Sequence, residues 1–314
     1  MPPLRPEGLS RARWLVEVCY LAMCYYWFTA CCFFVTPKTA ESSGEEEPLR
    51  WYLERIRLPG YYVKNYLLPL MSSVTTCSHD ALMDFPAIDV VDYERRTFRK
   101  KHYTVLGGVH RVQKKLSEDL TYRLGTKVTA VENVGTKVQV SWTDPHDGQS
   151  SWELFDHVIL GVTPDVVGAI FQPLQSAMAA VPTTTVQSVV HRDFSKILDS
   201  SKYLWTHMSL NAGESAPQPI HMRSNATATE SIHEHPSFAL ITTCPIAPID
   251  PEKIVHTVRF TRVLRSSSSR QIINHIFNRT QSGDEKSQLW QNGDGNVWLV
   301  GGWCWGWDGN TRGA

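Results

Sequence analysis

A strongly apolar segment without any charged residue runs from Val18 to Val35 and reads VCYLAMCYYWFTACCFFV. A stretch of about 18 residues lies at the lower limit of what can cross a bilayer as a helix. Because positive charge is retained on the cytoplasmic side, a spanning helix here would leave the N-terminus cytoplasmic. The flanking charged residues are Arg5, Arg11 and Arg13 before the run and Lys38, Glu41, Glu45, Glu46 and Glu47 after it.

Composition favours a packed helix over a membrane span for this segment. The run is rich in Tyr, Trp and Cys and poor in Leu and Ile, and Glu17 shortens its usable length. Buried cysteine mostly acts as a small hydrophobic residue. We expect a cytoplasmic or membrane-associated protein, with a single-pass membrane protein as the alternative. The cysteines of this segment, interpreted as packing residues, are Cys19, Cys24, Cys31 and Cys32.

Charge and cysteine content exclude two classes of function. The chain of 314 residues has 31 Lys and Arg and 31 Asp and Glu, so its formal net charge is zero. A nucleic-acid-binding protein normally carries a basic face, so we expect no nucleic-acid partner. The seven cysteines form no CxxC pair, which argues against a structural zinc site, and we expect no metal.

The middle of the sequence has the pattern of a mixed α/β unit. An amphipathic stretch from Val109 to Leu124 predicts a helix. Three alternating runs, KVTAVE, KVQVSW and SWELF, follow and are separated by the turn signals NVGT and DPHDG. These runs predict a three-stranded meander, after which FDHVILGV predicts a buried strand that ends at Gly161.

The regions on either side predict helices first and strands later. Helical patterns cover Leu49–Ile56 and Tyr61–Val74, the second with a kink expected at Pro69. The runs VQSVVHR, SFALITT, HTVRFTR and NVWLVGG predict strands, and a polar surface loop is expected over Asn211–His235. The fold class is therefore predicted to be α/β with mixed α+β character.

Few motifs with a fixed catalytic spacing occur in the sequence. GxGxxG, GxxxxGK and GxSxG are absent. His233 and His235 flank Glu234, but one such pair is a weak metal signal. The glycosylation sequons at Asn225 and Asn278 matter only if this region enters a secretory lumen.

The most informative segment is VWLVGGWCWGW, from Val297 to Trp307. Paired glycines let a ligand lie against bare backbone, and indole rings supply flat apolar walls. A planar aromatic ligand such as a flavin would suit that surface. The alternative is a turn at the end of a strand, surrounded by core aromatic residues.

Several segments, in their order, resemble the flavin-containing amine oxidase superfamily. They are YYVKNYLLPLMSSVTTCSHDALMDFPA, HYTVLGGVHRVQKKLSEDL, KVTAVE, FDHVILGVTPDVV and VWLVGGWCW. The resemblance implies an FAD cofactor, with the backbone of Val128 at the adenine and with Gly301, Gly302 and Trp303 near the cofactor. It implies oxidation of a small organic substrate by hydride transfer to the flavin.

The resemblance also implies a partial FAD-binding domain interleaved with a substrate domain. We expect residues 1–100 to be the helical part of the substrate domain and residues 101–165 to be the partial FAD-binding domain. Residues 166–290 would complete the substrate domain, and residues 291–314 would contact FAD. Family members begin with a glycine-rich βαβ unit that cradles the diphosphate. We recognise no such unit before the apolar run, so we expect a truncated member, with a second chain supplying that unit.

The sequence assigns no catalytic base. His191, His207 and His221 lie in the implied substrate region, where a structural role is the alternative for each. The alternative function is a non-catalytic remnant or partner subunit of a flavoprotein, anchored to a membrane through Val18–Val35.

Overall fold

The fold combines helices with largely antiparallel sheets and has the predicted mixed α/β class. The computed structural model describes residues 8, 10–39, 45–100, 105, 108–144, 148–197, 220–235, 238–277 and 290–304. Two compact units each combine two stretches of the chain. The first unit comprises Met1–Val91 and Pro182–Ser267, and the second comprises Asp92–Val181 and Ser268–Ala314.

The elements are numbered in chain order. The helices are α1 (Arg11–Phe34), α2 (Leu49–Arg55), α3 (Gly60–Tyr62), α4 (Leu68–Thr75), α5 (His79–Met83), α6 (Ala87–Thr97), α7 (His110–Leu116), α8 (Pro164–Ile170), α9 (Gln175–Ala179) and α10 (Ser267–Phe277). The strands are β1 (Lys127–Val134), β2 (Lys137–Thr143), β3 (Ser150–Phe155), β4 (Val158–Leu160), β5 (Thr183–His191), β6 (Ile220–Ser224), β7 (Thr229–His235), β8 (Ala239–Thr243), β9 (Ile254–Val263) and β10 (Val297–Leu299).

The long apolar segment forms α1. Ser10 caps its first turn, because the side-chain oxygen of Ser10 accepts a hydrogen bond from the backbone N–H of Arg13 at 3.3 Å. α1 is long and apolar enough to cross a membrane by length and composition alone, and 33% of its most apolar window is buried inside the fold.

The cysteines of α1 lie on two different faces. Cys24, Cys31 and Cys32 are buried, as predicted for packing residues, whereas Cys19 is exposed. Cys19 precedes Cys24 by five positions, which rotates it by about 140° around the helix axis. The packing interpretation is therefore wrong for Cys19, because composition does not say which face of a helix is covered.

Helical structure continues through Pro69, where the sequence predicts a kink. A π-helical segment, Val63–Leu67, joins α3 to α4. It ends just before Pro69, whose ring removes one N–H donor and crowds the preceding turn. The widened turn makes room for the proline ring. α4 then packs on β6 and β7.

A five-stranded antiparallel sheet completes the first unit, with the strand order β6-β7-β8-β5-β9. β5, β8 and β9 form where VQSVVHR, SFALITT and HTVRFTR predict strands. The loop expected over Asn211–His235 is wrong from Ile220 onward, because β6 and β7 form a hairpin there. Residues 211–219 lie outside the described part of the chain.

The second unit contains the predicted three-stranded meander, in the order β1-β2-β3. Val131 and Val138 are buried on it, while β3 is exposed along its whole length. The helix expected over Val109–Leu124 is wrong in extent, because α7 ends at Leu116 and buries none of its residues. Its apolar stripe lacks a surface to pack on among the described residues.

Candidate functional site

Two short strands far apart in sequence pair in parallel in the second unit. Val158–Leu160 of β4 lies in register with Val297–Leu299 of β10. Leu160, Val297 and Leu299 are buried, so the pair belongs to the core of this unit. Parallel strands end at the same edge of a sheet, and ligands of open parallel sheets bind outside that edge. The segments that follow β4 and β10 therefore form the candidate site.

The predicted glycine pair lies at this edge. Gly301 has a φ of +140°, and a Cβ there would lie 3.3 Å from the Trp303 ring. Apart from its two chain neighbours, no described residue has an atom within 4 Å of the Cβ position of Gly302. Glycine leaves this position open, so a flat group could approach the backbone from that side.

Trp303 fixes the two segments against each other. Its indole Nε1 donates a hydrogen bond to the carbonyl oxygen of Val162 at 2.8 Å. The backbone N–H of Cys304 donates to the carbonyl oxygen of Gly301 at 3.0 Å and closes the turn. Burial raises the pKa of the Cys304 thiol to about 12, so this side chain is a neutral thiol near pH 7 and a poor nucleophile.

Val128, the residue predicted at the adenine, lies near the start of β1 and is half-buried. The segment before β10 contacts the meander at the β1–β2 turn, where Nδ2 of Asn296 donates to the carbonyl oxygen of Thr136 at 3.1 Å. Val128 precedes Val134 by six positions, which corresponds to about 20 Å along a strand. The glycine pair and Trp303 lie together at the edge that follows β10. Val128 lies at the other end of β1 from the turn that Asn296 contacts.

His191 is held on both ring nitrogens inside the first unit. The backbone N–H of Asp193 donates to its Nδ1 at 3.1 Å, and its Nε2 lies 2.7 Å from Oγ1 of Thr242. Because Nδ1 accepts, the proton is on Nε2, which donates to Thr242. Burial lowers the pKa of His191 and favours the neutral ring. These contacts give His191 the structural role.

His221 lies on β6 and contacts a carboxylate on the neighbouring strand. Its Nε2 is 2.5 Å from Oε1 of Glu234, a buried residue of β7. The ring itself is partly exposed. His207, the third histidine of the predicted set, lies outside the described residues.

A second buried carboxylate lies next to this pair. Glu230 on β7 is 1% exposed, and its Oε2 accepts a hydrogen bond from the backbone N–H of Ile246 at 2.8 Å. Its Oε1 has no hydrogen-bond partner among the described residues. Nη1 of Arg223, directly opposite on β6, lies 3.9 Å away from that oxygen.

These polar side chains share one face of the five-stranded sheet. The strand registers distribute them over four strands on that face. A clue in the sequence is the pairing of basic residues before the Asn225 turn with acidic residues after it. The members of this polar cluster are His191, His221, Arg223, Glu230, Glu234 and Thr242.

The remaining polar motifs have local structural roles. Oδ1 of Asn225 accepts hydrogen bonds from the backbone N–H groups of Thr227 and Ala228, both at 2.8 Å, and so forms the β6–β7 turn. Within the described residues, no group of three or more His, Cys, Asp or Glu could hold a metal ion. The second sequon, at Asn278, lies outside the described residues.

A separate apolar cavity of about 380 Å³ lies between α9 and α10 in the second unit. Phe171 and Trp290 meet edge to face with their ring centroids 5.5 Å apart, and Trp290 forms part of the wall. Its other walls are largely apolar, including Leu174 and Ile276. This cavity is defined by shape alone, whereas the edge at Gly302 combines an open Cβ position with an indole held by a hydrogen bond.

No protein family and no curated protein matches the chain. A solved structure described as native and K252c-bound RebC-10x is similar to part of it, with 10% sequence identity and a TM-score of 0.30. The similarity covers 49% of this chain and 32% of that chain, so this chain spans about a third of that protein's length. A likeness of this size assigns neither fold nor function.

Proposed function

We propose that the chain is an FAD-dependent oxidoreductase of the amine-oxidase type, which oxidises a small organic substrate. The observation that carries this proposal is the common edge of β4 and β10. There the Cβ position of Gly302, open among the described residues apart from its chain neighbours, lies beside an indole that is hydrogen-bonded to Val162. A flat apolar group is the kind of ligand that fits such an edge.

The residues at this edge fit the ring system of a flavin. A side chain at Gly302 would occupy the space next to the backbone, and glycine leaves that space open. The order of segments that resembles amine oxidases provides independent support, because it assigns the same three residues to the cofactor. The two lines of support meet at Gly301, Gly302 and Trp303.

When bound, FAD would accept a hydride equivalent from the substrate and supply the redox chemistry. The chain's own residues would bind and orient it. Gly302 would offer backbone contact to the ring, and Trp303 would exclude water from one side of it. Val128 would contact the adenine through its backbone. His191 would not act as a base, since both of its ring nitrogens are already hydrogen-bonded.

Titration of the purified full chain with FAD tests the proposal. We expect uptake of FAD and a visible flavin spectrum in the folded protein. The critical variant is Gly302→Leu, which fills the space that the ring would use. Because a Cβ at Gly302 meets no atom of a described residue other than its chain neighbours within 4 Å, this variant should fold as the wild type does. Its affinity for FAD should fall by about tenfold or more, equivalent to about 1.4 kcal/mol.

Gly60→Leu is the matched control, because its Cβ position is likewise open and Gly60 lies in the first unit. It should bind FAD as the wild type does. Failure of the folded wild type to take up FAD would support the alternative of a non-catalytic remnant or partner subunit. Equal FAD affinity of Gly302→Leu and wild type would refute the assignment of the site to this edge.

A further inference from the structure

Helix α1 has two apolar faces, and among the described residues one of them is buried and the other is exposed. The inner face packs inside the first unit. Its buried residues recur at helical spacing and form a continuous stripe. They are Leu21, Cys24, Phe28, Thr29, Cys31 and Cys32.

Specific hydrogen bonds fix the inner side of α1 to neighbouring helices. The indole Nε1 of Trp27 donates to the carbonyl oxygen of Ile56 at 2.9 Å. The hydroxyl groups of Tyr61 and Tyr66 donate to the same oxygen of Glu17, at 2.8 Å and 2.9 Å. Burial, together with the bond to Glu17, raises the pKa of Tyr66 and keeps its hydroxyl a donor. A helix that crossed a bilayer would have to give up these contacts.

The outer face of α1 is an exposed stripe of apolar side chains. It extends over a helix of 24 residues, which corresponds to about 36 Å. The most exposed members are Phe34 at 87%, Val16 at 70%, Met23 at 65% and Tyr26 at 60%. The outer stripe comprises Leu15, Val16, Met23, Tyr26, Phe33 and Phe34.

The charges that flank the outer stripe differ between its two ends. Arg11 and Arg13 are exposed in the first turn, whereas Lys38 after the last turn lies against Glu47, whose Oε2 accepts from the Lys38 N–H at 2.9 Å. Glu17, the acidic residue of α1, accepts the tyrosine hydroxyl groups. The outer face thus combines an apolar, aromatic-rich centre with a cationic N-terminal end. Anionic lipid headgroups complement that end, and aromatic side chains favour the boundary between headgroups and acyl chains.

From this geometry we infer that α1 docks the chain on an anionic lipid surface, lying in the plane of the interface with its outer stripe toward the acyl chains. A second copy of the chain fits the stripe less well. Helix pairs favour branched aliphatic side chains or small residues along their seam, whereas this stripe is dominated by aromatic residues and methionine. The inference is independent of the proposed redox function, because it uses no residue of the second unit.

Vesicle binding by the purified full chain tests the inference. We expect the wild type to sediment with vesicles of phosphatidylcholine and phosphatidylserine, and to bind vesicles of phosphatidylcholine alone more weakly. Alkaline carbonate should release the bound protein, because the helix lies on the bilayer and does not cross it. Retention after carbonate treatment would overturn the inference in favour of a spanning helix.

Charge substitutions in the outer stripe and in the first turn of α1 make the test more specific. The double variant Val16→Glu/Met23→Glu should lower vesicle binding by about tenfold or more, because it places carboxylates in the acyl region. Leu116→Glu/Leu124→Glu is the matched control, since these leucines are 72% and 83% exposed in the second unit. It should bind as the wild type does. Arg11→Glu/Arg13→Glu should weaken binding to the anionic vesicles alone.

Three outcomes would contradict lipid docking. The first is a wild type that binds neither vesicle, and the second is a Val16→Glu/Met23→Glu variant that binds as the wild type does. The third is a lipid-free wild-type dimer, seen by light scattering, that the same double variant converts to a monomer. That result would assign the outer stripe to a second copy of the chain.

Discussion

The indole N–H of Trp303 donates a hydrogen bond of 2.8 Å to the carbonyl oxygen of Val162, a residue 141 positions earlier in the chain. This bond lies just beyond Leu160 and Leu299, the last paired residues of β4 and β10. A parallel pair of three residues on each strand is short, so a side-chain bond past its end adds to its closure. The indole N–H of Trp303 is therefore one of the groups that hold the segments after β4 and β10 together, and a substitution can remove it.

Trp303→Phe should weaken the edge while keeping an aromatic ring there. Phenylalanine cannot donate to Val162, so we expect the free energy of unfolding to fall by about 1 kcal/mol. Urea unfolding followed by circular dichroism measures this change. Trp152→Phe is the control, because Trp152 is 62% exposed on β3. Equal losses for the two variants would show that the bond to Val162 contributes nothing.

Gly168→Ala should destabilise the protein although alanine is the better helix former. A Cβ at Gly168 of α8 would lie 3.0 Å from the Cβ of Met178, which is buried and cannot move without its backbone. The overpacking should lower the free energy of unfolding by about 1–3 kcal/mol, whereas the higher helix propensity of alanine should raise it by about 1 kcal/mol. We expect a net loss in the free energy of unfolding.

Gly60→Ala is the counterpart of that substitution in an open environment. No atom lies within 4 Å of its Cβ position at the start of α3. It should leave stability unchanged or raise it by about 0.5 kcal/mol. If Gly168→Ala proved as stable as Gly60→Ala, the close packing of α8 on α9 would be disproved.

Local patterns in the sequence identify those elements whose two faces differ. The meander was predictable because KVTAVE and KVQVSW alternate and a glycine turn, at Gly135, separates them. β7 was missed because Glu230, Ser231 and Glu234 are buried polar residues. Tertiary hydrogen bonds offset the free-energy cost of burying such side chains, and the sequence does not show those bonds. α7 was predicted too long, because an apolar stripe indicates a helix without showing that a surface covers it.

The candidate site was predictable in composition but not in geometry. The pair Gly301-Gly302 and Trp303 stand out in the sequence as a place where a flat ligand could meet backbone. The strand β4 was predicted from FDHVILGV, but its pairing with β10 was not, since parallel pairing over so long a separation leaves no local pattern. For the same reason nothing in the sequence indicates that Trp303 bonds to Val162.

Arg223→Met should destabilise the first unit through Glu230. The substitution removes the cation nearest to the unpaired Oε1 of Glu230, at 3.9 Å, and the bond that Arg223 donates to the carbonyl oxygen of Lys196. The Arg223 side chain is 34% exposed, so we expect a loss of about 1–2 kcal/mol, below that for a fully buried pair. Urea unfolding measures the loss.

A double-mutant cycle separates the charge interaction from the lost packing. Glu230→Gln keeps an acceptor for the N–H of Ile246 and removes the buried charge. In the Glu230→Gln background, Arg223→Met should cost less than in the wild type, with a coupling of about 0.5 kcal/mol or more. Strictly additive losses would mean that the two side chains do not interact.

His191 should make the protein less stable in mild acid. Burial lowers the pKa of His191 in the folded state, so the unfolded chain binds the proton more tightly, with a pKa of about 6.5. The stability from the neutral ring is present above that value and is lost as the pH falls below it toward the lowered pKa. One such group contributes a slope of at most about 1.4 kcal/mol per pH unit to the free energy of unfolding.

His191→Asn keeps short polar contacts but does not titrate, so its free energy of unfolding should fall less steeply between pH 7 and pH 5. Part of the slope should remain, because burial also lowers the pKa of His233. Since the slope is compared and not the absolute stability, a general loss of stability in the variant does not obscure the result. A fall as steep for His191→Asn as for the wild type would exclude His191 as the titrating group.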